Sequence, residues 1–106
     1  MIDPAATKQL FATYKKHGWL LRRVLLTDPA SAGDLAIDVE IIGANIDAAW
    51  FSRPPKDGGV AWEIRHLGNV PFALVENLDE SHDDFEGSLR NIETRLRDII
   101  SAKRQA

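Results

Sequence analysis

Trp50 and Phe51 stand side by side in 46-IDAAWFSR-53, a stretch that reads as a β-strand. Successive side chains of a strand point to opposite faces of its sheet. Two adjacent large rings therefore demand apolar cover on both faces, and a chain of 106 residues has little material with which to supply it.

The partner strand is 60-VAWEIRHL-67. Pro54 and Pro55 stop the first strand, because neither can donate to a ladder. Asp57-Gly58-Gly59 supplies turn chemistry, so 46–53 and 60–67 are expected to form a hairpin. Val60, Trp62, Ile64 and His66 share one face of the second strand; Ala61, Glu63, Arg65 and Leu67 share the other. The first set predicts the helix-covered side and makes Trp62 a core anchor.

The flanking segments complete the frame. Asp3 and Pro4 suit the start of a helix, Ala6, Leu10, Phe11 and Tyr14 recur at helical spacing, and His17-Gly18 ends it. The run 19-WLLRRVLL-26 reads as a strand with leucines on both faces, and 27-TDPASAG-33 as a turn. In 34-DLAIDVEII-42 strict alternation predicts a half-buried strand, with a short helix as the other option. A last strand is expected over 70–77. Ser81 and Asp84 resemble a capping box ahead of a long amphipathic helix with the stripe Phe85, Leu89, Ile92, Leu96, Ile99, Ile100. The expected fold is a single α+β domain over 1–106, a two-layer sandwich. It has an N-terminal helix, an antiparallel meander of four to five strands and a long C-terminal amphipathic helix.

Several function classes lose support at once. A formal charge of −3 argues against nucleic acid, which asks for a concentrated basic face. The absence of cysteine removes disulfides, thiolate nucleophiles and cysteine-based zinc sites, and fits a cytoplasmic location. No apolar run approaches the ~20 residues of a membrane helix. His17, His66 and His82 show no metal-ligand spacing, and no nucleophile, P-loop or dinucleotide motif occurs. The acids of 79-DESHDD-84 read as complements of a helix dipole rather than a cation loop. Asp47 with Glu63-Ile64-Arg65 lacks the lysine of a D…E-x-K nuclease site, and Arg cannot deprotonate usefully. No catalytic residue, cofactor or metal is expected.

The functional expectation follows from the two rings. With both helices on one face, either Trp50 or Phe51 would lie on the bare face. That face would serve as an interface to a second copy or another protein, rimmed by Arg22, Arg53 and Arg65. The alternative is a small-ligand binder or enzyme. Its pocket would lie between sheet and helices or at a dimer seam, lined by Trp50, Trp62, Arg65 and His66.

Overall fold

The computed structural model describes residues 2–35, 37–54, 60–68 and 70–105. Helix α1 (Pro4–Lys16) leads into strand β1 (Leu20–Leu26), a 3-10 segment (Pro29–Leu35), strands β2 (Glu40–Gly43), β3 (Ala48–Arg53), β4 (Val60–His66) and β5 (Ala73–Leu78), and helix α2 (Phe85–Gln105). The sheet order is β2-β1-β3-β4-β5. The pairs β1/β3, β3/β4 and β4/β5 are antiparallel; β1/β2 is parallel. The α+β class and the two terminal helices are as the sequence predicts.

Both ends of α1 are built as expected. The Asp3 carboxylate accepts from the amides of Ala5 and Ala6 at 3.0 and 3.3 Å. At the other end Gly18 takes a φ of +87°, the Gly18 amide donates to the Lys15 carbonyl, and the Trp19 amide donates to the Tyr14 carbonyl. This is the Schellman arrangement, and its positive φ explains the glycine.

The layering differs from the two-layer expectation. α2 lays Leu89, Ile92, Leu96 and Ile100 on one sheet face, against Leu25, Ala48, Trp50, Trp62 and Ile64. α1 brings Leu10, Phe11 and Tyr14 to the other face, where Val24, Leu26, Ala49 and Phe51 lie. The sheet is thus sandwiched, one helix to a face. The adjacent rings are the physical reason: Trp50 belongs to the α2 core and Phe51 to the α1 core, 0% and 1% exposed. Burying each such side chain is worth about 1.5–3 kcal/mol, so a bare ring would forgo a large part of the available stability.

Three local expectations also change. Among the described residues of 34–39 none is in a strand. The chain enters a 3-10 turn at Pro29, and β2 covers only Glu40–Gly43. Leu35, Ile37 and Val39 still share a side, because the segment packs along the α1 face. The capping box does not form: Ser81 donates both its amide and its hydroxyl to Asp79, and the carboxylate packed against the first turn of α2, over Gly87, is that of Asp84. β5 starts at Ala73 rather than at residue 70. The Asp57-Gly58 turn lies outside the described residues, while the expected hairpin is present, paired from Ala48↔His66 to Arg53↔Ala61.

Candidate functional site

One helix is about 10 Å across and strands are about 4.8 Å apart, so a single helix covers two to three strands of a five-stranded sheet. α1 packs on β1 and the 3-10 segment; α2 packs on β4 and β5. Two diagonally opposed corners of the sheet therefore lie beyond the helices. One is over the start of β1 on the α2 side, the other over β4 and β5 on the α1 side.

The first corner is roofed by arginines. A bulge between Leu21 and Arg23 shifts the register of β1 against β3. It leaves Leu21, Val24 and Leu26 on the α1 side, and Arg22 and Arg23 both reach the α2 side. The Arg22 guanidinium lies 4.7 Å from the centre of the Trp62 ring, donates to the Ser52 hydroxyl at 2.9 Å, and pairs with Glu80. Arg23 donates to Glu40 and, through two nitrogens, to Glu86. That hydrogen-bonded guanidinium holds the Glu86 carboxyl below the usual glutamate range.

The second corner has no such roof. Cross-strand partners share a face, so Ala61 and Asn77, Glu63 and Val75, and Arg65 and Ala73 all lie on the α1 side. α1 reaches this corner through Tyr14, which stacks on Phe51 with ring centres 4.0 Å apart and donates its hydroxyl to Glu63. Burial, followed by that bond to a carboxylate, raises the Tyr14 pKa well above its ordinary value. Beyond Tyr14 the face carries Ala61, Ala73 and Val75, and Val75 is 55% exposed. The Arg65 Nε is buried and has no hydrogen-bond partner among the described residues.

The residues expected at the interface separate on this map. Trp50 is core, its Nε1 donating to Glu93 at 2.8 Å; burial pushes that carboxyl's pKa up. Phe51 is core under α1. Neither ring reaches the surface, so the premise that one must project from a bare face is overturned. Arg53 stacks over Trp19 at 4.6 Å, Arg22 belongs to the roofed corner, and Arg65 lies in the open one. The sequence reading missed Ala61, Ala73 and Val75. Their signal was present: Ala73 and Val75 alternate along β5 on the face that carries their cross-strand partners Arg65 and Glu63.

The pocket residues do not converge on an opening. Trp50, Trp62 and His66 are buried. The His66 Nδ1 lies 2.7 Å from the Val70 carbonyl oxygen, which marks it as the protonated nitrogen, and a Cβ on Gly68 would meet the His66 ring. This histidine is a packed structural group. Asp47 accepts from the Thr27 amide and hydroxyl and holds a loop; Glu63 is engaged by Tyr14. No group of three or more His, Asp or Glu among the described residues could hold a metal ion. No helix among them is long and apolar enough to cross a membrane.

No family model matches this chain, and neither a curated protein nor a solved structure does.

Proposed function

We propose that this chain is a non-catalytic domain working through protein contacts, as a homodimer joined across the open corner on the α1 side of β4 and β5. The observation that carries this reading is an exposed Val75 beside Glu63 and Arg65, on a corner that no helix covers. A two-fold contact must be complementary to itself. Glu63 and Arg65 supply that on one patch, since the carboxylate of one copy can meet the guanidinium of the other. The absence of cysteine suits a reducing compartment such as the cytoplasm.

Magnitudes limit the strength of the contact. Two strands of six or seven residues present roughly 200 Å² of sheet face, well below the roughly 800 Å² per partner of a stable complex. The interface must therefore take in the C-terminal end of α1 and Arg53, and the dimer is expected to dissociate in about the micromolar range.

Light scattering on a sizing column over a concentration series tests this. Wild type is expected to pass from 11.8 kDa towards twice that mass. Val75→Asp and Arg65→Glu are expected to stay monomeric with unchanged circular dichroism. A wild-type monomer throughout, or a dimer indifferent to both changes, would refute the reading.

A second reading, a small-ligand binder, is favoured by a recess of about 320 Å³ where Tyr14, His17, Trp19, Arg53 and Glu63 meet. It predicts that Trp19→Ala abolishes ligand binding while leaving the mass unchanged.

A further inference from the structure

β1 is longer than the strand beside it. Its ladder with β2 begins at Arg23↔Glu40, so Leu20 and Leu21 pair with Ser52 and Phe51 of β3 on one side and with no strand among the described residues on the other; Arg22 is the bulged residue ahead of Arg23. This leaves about 7 Å of half-paired backbone at about 3.3 Å per residue. Sheet edges are commonly blunted by a charge, a proline or a bulge. Here the bulge follows Leu21, and Leu20 ahead of it is 56% exposed. The available edge is short, and it is apolar.

A groove of about 400 Å³ opens beside this edge, between α1 and the 3-10 segment. Phe11 and Leu21 form part of one wall and floor, Leu35 and Ile37 the opposite side. Lys8 and Lys15, two helical turns apart on α1, stand at its rim. Neither lysine makes an ion pair among the described residues. The three features fit one kind of occupant. A half-open edge offers backbone hydrogen bonds, an apolar groove accepts alternate side chains, and unpaired cations at the rim take carboxylates.

We propose that this groove binds an extended acidic–apolar segment of another protein, added as a short strand beside Leu20 and Leu21. Its apolar side chains would enter the groove, and its acids would meet Lys8 and Lys15, whose aliphatic stems can lie along the groove while the ammonium groups reach outward. A fatty carboxylate shares the apolar and acidic character but would make no use of the strand edge, which is why a peptide is the preferred occupant. The groove is centred on β1 and the 3-10 segment, but its Lys15 and Trp19 border the end of α1 that the proposed dimer contact takes in, so peptide binding is read at sub-micromolar protein, where the chain is expected to be monomeric.

The probe is a blocked heptapeptide alternating glutamate and isoleucine. Trp19 lines the groove whereas Trp50 and Trp62 are buried, so tryptophan fluorescence reports occupancy. The acidic peptide is expected to give a saturable change. The doubly charge-reversed Lys8→Glu, Lys15→Glu protein, altered only at exposed positions, is expected to bind it about tenfold more weakly. A peptide with lysine for glutamate, and one N-methylated along its backbone, are expected to fail. The proposal is overturned by no saturable change up to about 1 mM peptide, by equal binding of the basic or N-methylated peptide, or by a double variant that binds as wild type does. It is equally overturned if sodium dodecanoate binds and the acidic peptide does not.

Discussion

The two corners of the sheet that the helices leave over meet the same geometric problem with different residues. Over the start of β1, on the α2 side, two long arginines fold across the gap, one on Trp62 and the other between Glu40 and Glu86. Over β4 and β5, on the α1 side, alanines and Val75 stay low, and Arg65 keeps an unpartnered nitrogen. One corner is closed by side chains of the same chain. The other is not covered by a helix. Exposed area alone would not separate them; the partners of the charged groups do.

The largest effect expected from this comparison is at the floor of the closed corner. Trp62 packs against Trp50 and Phe85 and carries Arg22 on its face. Trp62→Ala should cost about 3–5 kcal/mol in denaturant unfolding. A cost close to that of an exposed substitution would break the claim that this corner is part of the core structure.

A smaller effect is expected from the roof. Arg23→Ala removes the pairs with Glu40 and Glu86. Both carboxylates are largely solvent-exposed, so screening limits the loss to about 1 kcal/mol. The pH dependence has a definite sign. The folded-state pKa of Glu86 is depressed, so its contribution is fully present above the ordinary glutamate range and is lost as pH falls through the depressed value. The wild-type advantage over Arg23→Ala should therefore shrink in acid. An advantage that grew there would contradict the assignment. In the open corner, Val75→Asp should shift stability by less than about 0.5 kcal/mol, while changing the solution mass.

How much of this was legible depends on regularity. The β3–β4 hairpin alternates without interruption, and its face assignment could be read residue by residue. β1 could not be read that way, because the bulge at Arg22 switches its parity and no glycine or proline marks the place. The alternation of 34–42 correctly put Leu35, Ile37 and Val39 on one side. It mistook a packed loop for a ladder, since period two reports which way side chains face and not whether the backbone is paired. Ser81 was a plausible cap, but Asp79 lies two residues before it and captures both its donors. The two adjacent aromatics held the most information. They call for apolar cover on both faces, and with two amphipathic helices available, one to each face satisfies that demand. The open corner was harder to see, because it depends on helix width against sheet width.

The most direct test is backbone amide hydrogen exchange, read by mass spectrometry over a protein concentration series. If the corner on the α1 side of β4 and β5 is the contact surface, protection in 61–65 and 73–78 should rise with concentration. Residues 92–100 of α2, on the other sheet face, should exchange at an unchanged rate. Protection in β4 and β5 that is independent of concentration, or a rise confined to other segments, would contradict the account.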